Sequence, residues 1–332
     1  VIIPGEPALV LAPMDGVTDH LMRGFLTARM PINYCVSEFI RVAHLVPPRH
    51  IFISDVPELL NGSKTASGTG VGVQLLGGDP DLLAKAAVVA VECGAQVIDL
   101  NFGCPAPTVN RHDGGATLLR YPDRIKDIVA AVRGAVPNDI PVSAKLRLGW
   151  DDPRAIYLNA EMAVAGGASW ITIHGRTKEQ GYTPPAYWKP IGEVRRSVGV
   201  PVVANGEIWS LSELKRCQEE SGCEHFMLGR GLLANPTLAA ECASFLGIKL
   251  KVSIGPQLLT GATLWRELLG ELVLESRSAK ESDRRTLARV KQWLNYAHKR
   301  GSISWFDSIK RARDSAELKT ILGLIGDSLV YS

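Results

Sequence analysis

The residues of this chain able to do chemistry gather where short apolar runs end. Asn101 and Cys104 follow QVIDL, Lys145 and Arg147 lie in PVSAKLRL, and His174 and Arg176 close SWITIHGR. Asn205-Gly206-Glu207 ends PVVANGE and Gly229-Arg230-Gly231 follows HFML, while Ala12-Pro13-Met14, Glu38 and Gln74 end three earlier runs. Period-two alternation puts Val142, Ala144, Leu146 and Leu148 on one strand face and Ser143, Lys145 and Arg147 on the other; Thr172, His174 and Arg176 likewise point together. An interior lysine and arginine without a partner cost several kcal/mol. They call for an anion or another electron-rich group, with a structural ion pair to Glu38 or Glu207 as the alternative. Gly206 and Gly229 let backbone N–H groups approach phosphate oxygens closely, and Arg230 adds charge. Cys104, between Gly103 and Pro105, offers a different chemistry: a thiol of pKa ~8.5 is roughly 97% protonated at pH 7 and can donate a proton.

Something must bring these ends together. Eight β-rich runs span residues 8–13, 34–39, 71–76, 96–102, 141–148, 169–175, 201–206 and 225–229. Helix-like stretches such as 80–94 and 121–136 lie between most of them. Strands alternating with helices make parallel units, and eight such units predict a closed (β/α)8 TIM barrel with its site at the C-terminal strand ends. An open dinucleotide-binding sheet would want GxGxxG leading into a helix, whereas Gly68-Thr69-Gly70-Val71-Gly72 leads into a strand. The fold class is therefore α/β, with the catalytic barrel over residues 1–247 and a linker over 248–257. A small C-terminal helical-bundle domain over 258–332 follows, where the spacing predicts helices over 260–277, 282–299 and 302–325.

Composition narrows the function classes. The 332 residues are 46% hydrophobic and 21% charged, as in ordinary globular chains, and no run of eighteen apolar residues suggests a membrane span. The start lacks the basic segment of a signal peptide, so the cytoplasm is expected, and a few native residues are expected ahead of Val1. The six cysteines form no CxxC pair and no cysteine–histidine cluster, so neither a metal nor a disulfide framework is expected. Cys35, Cys93, Cys217, Cys223 and Cys242 read as small buried hydrophobes. Net charge is only +3, but residues 277–313 carry 11 basic against 3 acidic residues. On the helix 282–299, Leu287, Val290, Leu294 and Ala297 form an apolar stripe opposite Arg285, Arg289, Trp293 and Tyr296. Basic residues interleaved with aromatics suit RNA phosphates and bases; a domain interface with Trp293 in its core is the alternative.

Taken in order over residues 9–231, APMDGVTD, QLLGGDP, DLNFGCP, GGATLL, KLRLGW, HGRTKEQGY, ANGEIW and MLGRG resemble the successive signatures of the tRNA-dihydrouridine synthases. HGRTKEQGY, GEIW and ARVKQWL further resemble the bacterial branch acting on uridine sixteen of the D-loop. The resemblance implies reduction of a tRNA uridine, FMN as cofactor, NADPH as reductant and tRNA as partner, with a monomer as the default. Pro13 and Met14 would line the flavin, Gln74 would bond its ring edge, and Lys145 would sit by the N1–C2 side. His174 would contact ring or phosphate, and Asn205, Gly206, Glu207, Gly229 and Arg230 would hold ribityl and phosphate groups. Asn101, Arg147 and Tyr182 would serve the uridine end, and Arg41, Arg285, Arg289 and Lys291 the tRNA. Cys104 would be the catalytic acid, protonating C5 once a hydride has reached C6. The chain departs from the family pattern at Pro107, where a lysine or other polar residue is common, and at His112 and Asp113, where small residues are common. A small-molecule flavin barrel and a tRNA-binding protein without chemistry are the rival readings. The first leaves the basic tail unexplained, and the second predicts no flavin dependence.

Overall fold

The computed structural model describes residues 1–110, 114–249 and 261–328. Eight parallel strands close into a barrel in sequence order: β1 Ala8–Leu11, β2 Tyr34–Arg41, β3 Gly70–Leu76, β4 Ile98–Asn101, β5 Val142–Arg147, β6 Trp170–His174, β7 Val202–Asn205 and β8 His225–Leu228. The seam is β1 on β8, with Ala8 opposite His225 and Leu11 opposite Leu228. Each strand is buried almost throughout because both its faces are covered, one by helices and one by the barrel filling. Outside the barrel, Val142, Ala144 and Leu146 pack beneath the helices, as alternation requires. Inside, a smaller cluster including Val10, Tyr34, Val97, Trp170 and Met227 plugs the N-terminal half. The polar residues of the cavity gather in the upper half, where the strands end, while His225 is buried at the lower end of β8.

Local sequence explains the connecting elements. Asp79 caps the helix Pro80–Glu92 by accepting from Leu82 N–H, and Pro80 supplies the preset φ of a first turn. Pro122 opens the helix Pro122–Ala135 in the same way. A register shift between Val36 and Phe39 bends the end of β2, so that Ser37 Oγ meets the Gln74 N–H of β3 at 3.0 Å. The helix Arg49–Asp55 and the 3₁₀ turn Pro57–Asn61, both absent from the periodicity, fill the β2–β3 connection.

Beyond β8, the short helices Arg230–Ala234 and Leu238–Phe245 complete the barrel. The tail contributes helices Gly261–Ser278 and Asp283–Lys299, close to the first two expected. The third expected helix is two: Phe306–Ile309 and Ser315–Ser328. Asp314 separates them, because its carboxylate accepts from Ala316 and Glu317 N–H (3.0 and 2.8 Å) and starts a new helix. Most of the expected linker, residues 250–257, lies outside the described residues, as do His112 and Asp113. Barrel and tail share one apolar cluster: Trp293 is 1% exposed, packs edge-on against Phe25 (5.7 Å) and Trp265 (5.5 Å), and donates to Leu233 O at 2.8 Å. Trp293 is therefore core, and base stacking by it is set aside. Arg29 adds ion pairs to Glu271 and Glu275 of the tail, both at 2.6 Å. Among the described residues no helix is long and apolar enough to cross a membrane.

Candidate active site

A cavity of about 430 Å³ opens at the C-terminal strand ends, lined by residues from all eight strands or the loops that follow them, and by Tyr296 of the tail. Cys104, half-buried, stands in its wall, on the loop after β4. Two neighbours hold that loop. Asn101 Oδ1 accepts from the N–H groups of Gly103 and Cys104, both at 2.9 Å. On the other side, Arg147 Nε donates to Gly103 O at 2.8 Å, and its Nη1 donates to Gly181 O at 2.9 Å and Thr177 O at 3.2 Å. Burial pushes the Cys104 thiol above its ordinary pKa, so it is protonated at neutral pH. Arg147 is 2% exposed and committed to backbone carbonyls, which makes it a clamp between two site loops.

Behind the cysteine runs a buried chain of polar side chains. Asn101 Nδ2 donates to Gln74 Oε1 (2.8 Å), and Gln74 Nε2 donates to Asp99 Oδ2 (2.7 Å). Ser143 Oγ donates to Asp99 Oδ1 (2.5 Å). Asp99 escaped the reading of the sequence, although alternation along β4 puts it on the same face as Asn101. Burial raises its carboxyl to about 6, against the pull of those hydrogen bonds and of Lys145.

Lys145 reaches Asn205 Oδ1 at 3.4 Å, and Asn205 donates in turn to Met227 O at 2.8 Å. Both carboxylates weighed as ion-pair partners for Lys145 are engaged elsewhere. Glu38 accepts from Val17 N–H at 3.0 Å, while Glu207 pairs with Arg176 at 2.6 Å and Arg230 at 3.5 Å. Burial, with Arg147 beside it, lowers the Lys145 pKa to about 8. His174 is driven well below its ordinary pKa by burial, then by the surrounding Arg147, Lys145, Arg176 and Arg230. It is neutral at pH 7. Arg176 Nη1 lies 3.3 Å from its Nε2, and since a guanidinium can only donate, the imidazole proton belongs on Nδ1.

The glycines at the rim are there for space. Gly206 has φ +112°, and a Cβ on it would lie 2.7 Å from the His174 ring. A Cβ at Gly229 would crowd Met14 Sδ and Ala12 Cβ at 3.3 Å. Met14 itself is fixed because its N–H donates to Thr18 Oγ1 at 2.8 Å. Tyr182 is 55% exposed at the mouth, with the Arg230 and Arg147 guanidinium carbons 4.6 and 5.4 Å from its ring centre.

Of the residues singled out from sequence, Pro13, Met14, Gln74, Asn101, Cys104, Lys145, Arg147, His174, Tyr182, Asn205, Gly206, Glu207, Gly229 and Arg230 all line this one cavity. Arg41, Arg285, Arg289 and Lys291 lie outside it. Arg41 is exposed at the end of β2, and Arg285 is exposed on the tail. Arg289 is 9% exposed and paired with Asp19, at the head of the first barrel helix, and with Glu281 at 2.9 Å. Lys291 donates to Ala312 O at 2.6 Å. These two cations tie the structure together, which leaves Arg285 as the exposed one of the three named from sequence on that helix.

The profile of the dihydrouridine synthase family (Dus) matches residues 10–321. The tRNA-dihydrouridine(16) synthase of Neisseria meningitidis serogroup B is 43% identical over 95% of this chain and 93% of its own. The proteins of the same name from Shewanella oneidensis and Aquipseudomonas alcaligenes are 44% and 42% identical, over 88% and 95% of this chain and 89% and 99% of theirs.

Proposed function

Since this chain belongs to the dihydrouridine synthase family and is an enzyme, we propose that it reduces one uridine of tRNA to 5,6-dihydrouridine, at the position sixteen for which its relatives are named. The observation that carries the reading is Cys104: a protonated thiol held from two sides in the wall of a cavity rich in cations.

The residues present fit FMN. Lys145 and Arg147 face the cavity and no carboxylate lies within ion-pair distance of Lys145 among the described residues, so an electron-rich ring would complete the charge balance. At the rim, Gly206 and Gly229 let His174 and Met14 pack close against bare backbone, next to Arg230. Pro13 and Met14 would line the ring, Gln74 has one N–H left for its edge, and Asn205, Gly206, Glu207, Gly229 and Arg230 would hold the chain and phosphate. When bound, FMN supplies the hydride, a task no side chain performs, and NADPH restores it.

The protein's own part is orientation and proton delivery. Asn101 and Tyr182 present the uracil, which must leave its stack to reach the cavity. Cys104 gives its proton to C5 after C6 has accepted hydride, and Lys145 keeps positive charge beside the developing anion. Arg41 and Arg285 are exposed where phosphates of the RNA would lie, while Arg289 and Lys291 hold the helix that carries Arg285.

Unmodified tRNA incubated with the enzyme, FMN and NADPH is expected to gain two hydrogens at a single D-loop uridine, located by mass spectrometry of digestion fragments. No gain with folded, flavin-loaded protein would favour a small-molecule substrate. The lysine gives a separate expectation. Its pKa of about 8 means the flavin-free protein loses this proton between roughly pH 7 and 9, whereas a bound anionic ligand draws it back. FMN binding at pH 9 should therefore take up close to one proton, and at pH 7 almost none. Calorimetry in two buffers of different ionisation enthalpy reads that number, and Lys145→Met should abolish it.

A further inference from the structure

Asp99 takes no part in the chemistry just described, yet it lies at the root of the hydrogen-bonded chain that ends on the Cys104 loop. We propose that Asp99 is a positioning residue: it fixes the direction of the Gln74–Asn101 amide pair and so holds Cys104 where it can donate.

A primary amide has two ends of nearly equal shape and opposite hydrogen-bonding sense. Shape does not distinguish them, so the groups at the two ends of the pair must: the Asp99 carboxylate at one and the Gly103 and Cys104 N–H groups at the other. A carboxylate only accepts. With Asp99 Oδ2 taking Gln74 Nε2 at 2.7 Å, Gln74 must turn Oε1 towards Asn101. Asn101 then must turn Nδ2 towards Gln74 and Oδ1 towards the Gly103 and Cys104 N–H groups. Reverse the first link and the last fails, because Asn101 Nδ2 would face two backbone donors. Ser143 Oγ occupies the other oxygen of Asp99, which holds the carboxylate in place. Lys145 stands opposite Asn101 in the β4–β5 register and favours the ionised form.

The inference rests on Cys104 being the acid, but its test does not need turnover. Cys104 is the only one of the six cysteines that is not buried, so iodoacetamide alkylation of flavin-free protein reads its loop, with Cys104→Ala as the blank. Asp99→Asn keeps shape but can present an N–H, so the chain is free to reverse and the loop to lift. Losing its two backbone hydrogen bonds should speed alkylation about tenfold. The double variant Asp99→Asn with Asn101→Asp reverses the whole chain with every link satisfied: the new amide donates to Gln74 Oε1, Gln74 Nε2 donates to the new carboxylate, and that carboxylate still accepts from Gly103 and Cys104. It should restore the slow native rate. If Asp99→Asn alone does not fold, a folded, slowly alkylated double variant carries the same conclusion. Native-rate alkylation in Asp99→Asn, a fast double variant or an unfolded one each overturns the proposal. Full uridine reduction by Cys104→Ala would instead remove the acid and leave the alkylation result standing.

Discussion

Cys104→Ala should bind flavin as the native enzyme does and reduce uridine about 10²–10⁴-fold more slowly, the usual worth of a positioned general acid. The side chain removed is small and half-buried, and the loop is held through backbone atoms: Asn101 grips the Cys104 N–H and Arg147 grips Gly103 O. Both contacts survive the substitution, so the cavity keeps its shape. What goes is the proton. Because burial raises the thiol pKa, the native rate should hold to a pH above the ordinary thiol range before it falls as the proton is lost. The variant should lack that alkaline limb. Single-turnover oxidation of reduced flavin by unmodified tRNA, followed by flavin absorbance, separates chemistry from flavin binding. Native speed in the variant would exclude Cys104 as the acid.

The largest loss of stability is expected far from any reacting atom, at Arg23. This side chain is wholly buried, with Nε and Nη2 on the two oxygens of Glu58 at 2.8 and 2.9 Å. Its Nη1 donates to Thr18 O at 2.8 Å and its Nη2 also reaches Asp55 O. Arg23→Ala leaves the Glu58 carboxylate buried without its partner, which typically costs about 3–5 kcal/mol. Urea unfolding should show that loss as a lower midpoint at unchanged slope. Replacing both residues by apolar ones, Arg23→Met with Glu58→Leu, should recover most of it, because the penalty belongs to the stranded charge. A loss below about 1 kcal/mol in Arg23→Ala would mean that water reaches the carboxylate after all. Thr18 also anchors Met14, so the same substitution should loosen the cavity wall nearest β1.

How much of this could be read from the chain depends on range. The strands announced themselves because apolar runs of four to eight residues cannot avoid being buried, and alternation then told Lys145 and Arg147 from their neighbours. The strand-end rule placed thirteen of the named residues around one cavity, and the family resemblance added Tyr182. Partners were a different matter. Arg23 finds Glu58 across 35 positions, and Arg289 finds Asp19 across 270, and no local pattern encodes either. Arg289 and Trp293 looked like an RNA surface because basic and aromatic residues at helical spacing suit that role; an interface needs the same residue types. Two oversights had local signals. Asp99 shares a strand face with Asn101, and Asp314-Ser315-Ala316-Glu317 has the form of a helix start within what reads as one continuous helix.

The seam of the barrel has a consequence for the chain as it is made. β1 completes its second edge only by pairing with β8, residues 8–11 against 225–228. At roughly 5–20 residues per second of synthesis, the first strand waits on the order of ten to forty seconds for its partner to leave the ribosome. For that interval its unpaired edge can bind any other extended chain. The Asp19–Arg289 link comes later still, so the loop that carries Met14 is secured only once the tail is made. Nascent chains stalled before the tail emerges should carry a closed barrel whose first wall is still loose, and these are the species a chaperone would meet.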